Sequence, residues 1–340
     1  MDYTIQRLWI NSNSKDRAIW EQLLGEANLK TEQNLDKTFS LYDGDTPIGT
    51  GSVFQNIIKC VAIKDEYRGG PAFNQLISHL MNEIYDNGYS SIYVYTKPAS
   101  KSAFSYLGFT EIAEVDHQLV FLEKSMHPIN DFVHELKTHY IEGQTIGGIV
   151  MNANPFTKGH QYLIDYASSR VDVLHLFILE EDASVFPTEI RKRLVAEGTA
   201  QFKNVHIHST GDYMVSTKTF PSYFLPEDAD VTRTQAKLDA TVFKRYIAPA
   251  LGITIRFVGE EPLSFATNIY NEAMRKVFAG SIELVIIKRL ESGTEVISAS
   301  RVRKLFGEGD FDAIKQIVPE TTYNFLISDE AKPIQDHLKK

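Results

Sequence analysis

The chain has 340 residues, 43% of them hydrophobic and 23% charged, and its 35 basic and 44 acidic side chains leave a formal net charge of −9. That length exceeds what one hydrophobic core ordinarily holds and suits two domains. No apolar run approaches the roughly 20 residues that a membrane helix needs, and the acidic balance argues against a nucleic-acid binder relying on a bulk basic surface.

The opening stretch MDYTIQRLWINSNSKD has neither a basic n-region nor a long apolar run, so no secretion signal is expected and the protein is placed in the cytoplasm. A single cysteine, Cys60, excludes an internal disulfide framework and a multi-cysteine zinc site. It lies in the strand-like run NIIKCVAIK and reads as a buried, inert thiol. The histidines are scattered, with no HExxH and no carboxylate-flanked pair at ligand spacing, so no protein-held metal is expected.

In chain order, a strand is predicted over 3–10 and a helix over 13–28, entered through Ser12, Asn13 or Ser14 as cap. A hairpin follows around Asp43-Gly44, then a strand through Ile63, a helix over 71–87, the strand SSIYVYTK, a short helix over 100–107 closed by Gly108, and the strand QLVFLEK. Residues 1–126 thus read as one α+β domain on a mostly antiparallel sheet. Pro128 and Gly143 bound a linker helix over 127–143.

From 144 to 340 strands and helices alternate. Strands are predicted at 146–151, 171–179, 204–208, 253–258 and 282–288, and helices at 159–169, 188–202, 233–248 and 265–279, with short helices after Ser298. Such βαβ alternation means a doubly wound parallel sheet, so the fold class is α/β with two domains, the second Rossmann-like. Gly211–Asp230 is the one long stretch with weak periodicity, and its aromatic content predicts an ordered substrate or partner surface.

The first strand of the second domain ends in the turn NANPFTKGH, residues 152–160. In an open parallel sheet, ligands bind beyond the carboxyl ends of the strands, where helix N-termini offer N–H groups to anions. Gly159 would let a phosphate approach the backbone, and Thr157 and His160, three apart, can serve one bound group. The bland alternative makes Thr157 a helix cap and His160 a surface residue. A second such place is VISASRVRKLF, residues 296–306, where Ser298 or Ser300 caps a helix and Arg303 offers a planar fork for phosphate oxygens.

NPFTKGH resembles the (H/T)xGH signature of the nucleotidyltransferase superfamily, and ISASRVR resembles its ISxSxxR signature. Asn154 and Thr157 stand where many members have Asp and His. Together with STGDYMVSTKTFPSYF and FVGEEPLSFATNIYN, and with the leading domain, the chain is similar to the citrate lyase ligase family over nearly its whole length. The resemblance implies ATP-dependent acetylation of the thiol on the coenzyme-A-like prosthetic group of the citrate lyase acyl carrier subunit, through acetyl-adenylate, with release of AMP and diphosphate. It implies acetate as co-substrate and Mg²⁺ with the ATP, and no nucleic-acid or membrane partner. It assigns catalysis to Thr157, His160 and Arg303, and ATP binding to Asn152, Ala153, Asn154, Phe156, Gly159, Arg289, Ser298 and Ser300. Arg191 and Arg193 are further candidates for phosphate or adenine contacts, and Tyr213, Phe220 and Tyr223 for walls around the acetate methyl. Two rivals stay open: a nucleotidyltransferase making a dinucleotide or CDP-type product, and a nucleotide sensor without turnover.

VAIKDEYRGGPAFNQLISHL and YTKPASKSAFSYLGFTEIA resemble the core of the GCN5-related N-acetyltransferase fold. The resemblance implies a Gly-rich turn that holds a coenzyme A pyrophosphate, and two expectations stay open: the domain docks the carrier's arm, or it is a relic that no longer binds such a group. Pro71 and Phe73 depart from the small residues usual there, removing an N–H and crowding the approach.

Overall fold

The computed structural model describes residues 3–180, 184–214, 220–225, 230–260, 265–288, 290–292 and 295–339. Two compact units emerge: residues 1–132 with 215–238, and residues 133–214 with 239–340. The chain-order division at 126 and 144 therefore needs one correction, because 215–238, inside the second domain by sequence, packs with the first unit. Nothing local marks such an excursion, since only long-range burial decides it.

The first unit starts with β1 (Thr4–Leu8) and α1 (Ser14–Glu26), whose cap Asn13 accepts the Lys15 and Asp16 N–H groups and whose Trp20, Leu23 and Leu24 form the buried stripe. β2 (Lys37–Asp43) and β3 (Thr46–Phe54) form the expected hairpin, with Gly44 at φ 59 in the turn. β4 (Ile57–Ile63), α2 (Pro71–Asp86), β5 (Ser91–Thr96), α3 (Lys101–Tyr106), β6 (Thr110–Val115) and β7 (Leu119–Ser125) complete a seven-stranded sheet of order β1-β2-β3-β4-β5-β7-β6. All its neighbours are antiparallel except β4 and β5. Leu76, Ile77, Leu80 and Ile84 of α2 pack with Ile58, Ile92 and Val94 on one face. β6 is absent from the sequence expectation: Glu111 and Glu114 interrupt its apolar pattern, and an edge strand with a register shift between 111 and 113 tolerates that.

α4 (Ile129–Thr138) carries the boundary between the units after Phe132, and the second unit continues with β8 (Ile146–Met151), α5 (Lys158–Ser168), β9 (Val173–Ile178), α6 (Thr188–Thr199) and β10 (Val205–Ser209). α7 (Val231–Val242), which belongs to the first unit up to Leu238, runs through a π-helical turn, Phe243–Ile247, into α8 (Ala248–Leu251), stopped by Gly252 at φ 69. β11 (Ile255–Gly259), α9 (Phe265–Phe278) and β12 (Glu283–Ile287) follow, then the small ribbon β13 (Glu291–Ser292) and β14 (Glu295–Val296). α10 (Ala299–Glu308), α11 (Phe311–Ile317), α12 (Glu320–Leu326) and α13 (Lys332–Leu338) close the chain.

The five-stranded sheet is parallel, in the order β10-β9-β8-β11-β12. β9 is buried at every residue, as a strand covered on both faces must be. Leu174, Leu176 and Ile178 point into a core with Phe156, Phe186, Val302, Phe306 and Phe325. After β8 the chain winds to one side through β9 and β10, then returns to the other through β11, so the order reverses between β8 and β11. These two strands register only at Gly147 with Ile255 and Gly148 with Arg256, and their carboxyl ends part. That is the topological switch point at which open α/β sheets bind ligands.

Candidate functional site

The site is built on the turn from β8 to α5. Ala153 is fully buried at φ 50, a left-handed conformation that costs a residue with a Cβ about 1–2 kcal/mol. Such strain persists where the surroundings over-determine the backbone, and here they do. The Asn154 side-chain carbonyl accepts the Phe186 N–H at 3.0 Å, and Asn152 Oδ1 accepts the Ser184 hydroxyl at 3.1 Å and Arg191 Nη1 at 2.9 Å.

Arg191 organises this turn from beneath. Its guanidinium is fully buried and donates to the carbonyls of Phe186, Asn152 and Leu179, to Asn152 Oδ1 and to the Thr188 hydroxyl. It is therefore no open phosphate contact, which corrects that expectation. Arg193 also differs: it pairs with Glu330 at 2.8 Å and lies over the Phe325 ring. Arg191 holds the turns after β8 and β9 together, a role the residue type alone does not reveal. A signal was present, because Arg191, Leu194, Val195, Gly198 and Thr199 form the buried stripe of α6, and an arginine on such a stripe must be fully paired.

Thr157 is the N-cap of α5 and is 1% exposed. Its hydroxyl oxygen accepts the His160 backbone N–H at 3.3 Å, while its own N–H donates to His160 Nδ1 at 3.1 Å, a reciprocal capping box with histidine in the return position. Thr157 and His160 thus bind each other instead of projecting independently toward one group, and the side chain of Thr157 is a cap that orients the imidazole. A backbone N–H can only donate, so this hydrogen-bond network assigns Nδ1 as acceptor and the ring proton to Nε2. Phe156 stacks on the His160 ring at 5.9 Å and 12°. Phe156 is fully buried in the core, so its side chain supports His160 and is not a nucleotide contact.

The second motif meets the first. Ser298 caps α10 by accepting the Arg301 N–H at 3.2 Å, and the exposed Ser300 accepts Arg303 Nη2 at 2.9 Å. Arg303 Nη1 donates to the Asn154 carbonyl at 2.6 Å, across 149 positions of chain. Burial lowers the Arg303 pKa from its ordinary value, but an arginine remains charged. Gly159 completes the junction, since a Cβ there would stand 3.3 Å from the Ile297 carbonyl. Its lack of a side chain therefore serves the approach of the two motifs. Arg289 lies outside the described residues.

The arrangement places two helix N-termini, a guanidinium and an imidazole N–H donor around the carboxyl end of β8, a set suited to anionic ligands. Among the described residues, no group of three or more His, Cys, Asp or Glu side chains is placed to hold a metal ion.

Residues 146–326 match the sequence profile of the citrate lyase ligase C-terminal domain. The chain is 38% identical to the [citrate [pro-3S]-lyase] ligase of Escherichia coli (strain K12) over 93% of this chain and 91% of that protein. It is 34% identical to that of Klebsiella pneumoniae over 96% and 97%, and 35% identical to that of Haemophilus influenzae over 93% and 97%. Among solved structures, the ribosomal-protein-S18-alanine N-acetyltransferase of Escherichia coli overlaps 37% of this chain and 94% of its own at a TM-score of 0.30 and 14% identity. Matched in this way over both units by relatives that share one name, the chain belongs to the citrate lyase ligase family.

Proposed function

We propose that this protein activates citrate lyase by using ATP and acetate to acetylate the prosthetic-group thiol of the lyase's acyl carrier subunit. Its relatives are named as ligases acting on citrate lyase. The observation that carries the reading for this chain is the bond from Arg303 to the Asn154 carbonyl, which joins the two motifs at the switch point of the parallel sheet.

In the first step an acetate oxygen attacks the α-phosphorus of ATP, the bond to the bridging oxygen of the β-phosphate breaks, and diphosphate leaves. Acetate is ionised at neutral pH, so no general base is required. What the step requires is alignment and stabilisation of phosphate charge. The His160 Nε2–H supplies a donor to the α-phosphate as its charge grows, Thr157 holds that ring, and Arg303 with Ser300 and the first turn of α10 takes the departing diphosphate. Asn152, Ala153, Asn154 and Gly159 form the backbone rim, and Ser298 holds the start of α10. In the second step the carrier thiolate attacks the acetyl carbonyl, the carbon–oxygen bond to phosphate breaks, and AMP leaves, while the thiol proton passes to solvent. Mg²⁺, where bound, would be held by the nucleotide and water and not by a protein cage, and would supply further neutralisation of phosphate charge. The fold of the second unit is read as a nucleotidyltransferase domain and the reaction as cytoplasmic; no described helix is long and apolar enough to cross a membrane.

ATP/diphosphate exchange measured with and without acetate tests this reading. Exchange that needs acetate is expected. Exchange that proceeds equally without it would favour the dinucleotide or CDP-type rival.

A further inference from the structure

The sheet of the first unit opens at one place. β4 and β5 register only at Ile57 with Tyr93 and Ile58 with Val94, although they have seven and six residues. On the other side of β5, pairing with β7 runs from Ser91 to Thr96 without a break. A bulge accompanies the parting. The β3–β4 register shifts between Thr50 and Ser52, and opposite this shift Cys60 adopts φ 53. A bulged residue loses its ladder partner and its backbone groups are re-aimed.

The hydroxyl of Tyr223 lies beside the Cys60 backbone. Tyr223 belongs to the connection between β10 and α7, of which residues 220–225, FPSYFL, are described. Phe220, Pro221, Tyr223, Phe224 and Leu225 are all buried. Phe220 meets Tyr95 of β5 edge-on at 5.9 Å, the Tyr223 carbonyl accepts the Lys30 N–H at 2.9 Å, and the Leu225 N–H turns back onto the Ser222 carbonyl at 3.1 Å. The segment therefore touches both strands at their parting and the connection after α1. Tyr95 alternates with Val94 of the α2-side core, so the segment lies on the face turned away from α2.

We propose that the parted strands β4 and β5 form an intramolecular binding site whose ligand is the chain's own aromatic segment Phe220–Leu225. Tyr223 presents its hydroxyl to the N–H of the bulged Cys60, and the neighbouring aromatic rings cover the apolar surface. On this view the first unit anchors the β10–α7 connection, and the gap is not an entry for the carrier's arm. Phe220 and Tyr223, candidates for an acetate pocket by sequence, belong to this anchor instead.

Cys60 is fully buried beside Tyr223 and is the only cysteine in the chain, so thiol labelling of the full-length protein reads this site alone. Wild-type protein labelled at neutral pH and followed by mass spectrometry is expected to react at least 100-fold more slowly than unfolded protein. Phe220→Ala/Tyr223→Ala should label at least tenfold faster than wild type with an unchanged far-ultraviolet spectrum, whereas Tyr106→Ala, on the exposed surface, should match wild type. If the double variant unfolds, Tyr223→Phe keeps the ring and removes only the hydroxyl; it should raise hydrogen exchange at the Cys60 amide about tenfold while the thiol stays slow. Desulfo-coenzyme A, which has no thiol to compete for the label, should leave wild-type labelling unchanged at millimolar concentration. Equal labelling of folded wild type and double variant, an unchanged Cys60 amide in Tyr223→Phe, or a rise in labelling induced by desulfo-coenzyme A would each overturn the proposal.

Discussion

At the scale of single residues, His160 shows how a local bond sets a chemical role. The Thr157 N–H on Nδ1 makes the imidazole a donor through Nε2, and Phe156 keeps the ring in plane against the core. A donor whose bond strengthens as charge develops affects turnover more than ground-state binding. His160→Ala is therefore expected to lower kcat by about 10²–10³-fold while KM for ATP changes by only a few-fold, measured by acetate-dependent exchange. Unchanged kcat with a large rise in KM would make His160 a plain binding residue. The pattern TxGH named these positions, but it could not show that Thr157 and His160 serve each other, because that depends on the cap geometry.

At the scale of elements, β9 and β10 carry a histidine ladder apart from the β8–α5 turn. His206 registers opposite His175, and His175 Nδ1 lies 2.9 Å from His208 Nε2, with the His139 ring 5.4 Å from that of His208. His175 is fully buried. Desolvation first, then the neighbouring imidazoles, lowers the pKa of His175 to about 4 and that of His208 to about 3. Unfolded imidazoles titrate near 6.5, so between that pH and the folded values the unfolded chain binds more protons. Stability is then complete above about pH 6.5 and is lost as pH falls toward the folded values, at up to roughly 1.4 kcal/mol per pH unit for His175 alone. Urea unfolding at pH 7.5 and 5.5 should show the drop, and His175→Phe should reduce it. A wild-type stability that is flat over that interval would mean that the ladder accepts protons without opening. At this scale the sequence was largely legible, since the strands and helices of the second unit lie within a few residues of their 2-residue and 3.6-residue periodicities. β6 was missed because its glutamates hide the period.

At the scale of the whole molecule, the two units are interleaved along the chain. A fragment cut at residue 144 would keep the turns at 152–160 and 296–306 but deprive Phe220–Leu225 of the surface that buries it. Such a fragment is expected to bind a hydrophobic dye and to self-associate, while a variant with Phe220, Tyr223 and Phe224 replaced by serine in the same fragment should stay dispersed. Sedimentation and dye fluorescence would check this, and a dispersed, dye-negative parent fragment would contradict it. By itself the sequence determined most of the element order, the alternation that makes a parallel sheet, and the two anion-seeking helix starts, because periodicity, caps and glycines act within a few residues; the switch point in that sheet came from its strand order. Only the tertiary structure decided that Arg191 ties the turns instead of meeting phosphate, that Arg303 reaches Asn154, and that an aromatic stretch of the second half packs in the first unit. Those outcomes depend on which donors and apolar surfaces meet after the chain has folded, and a pairing such as that of Arg303 with Asn154, across 149 positions, leaves no local trace in a single sequence.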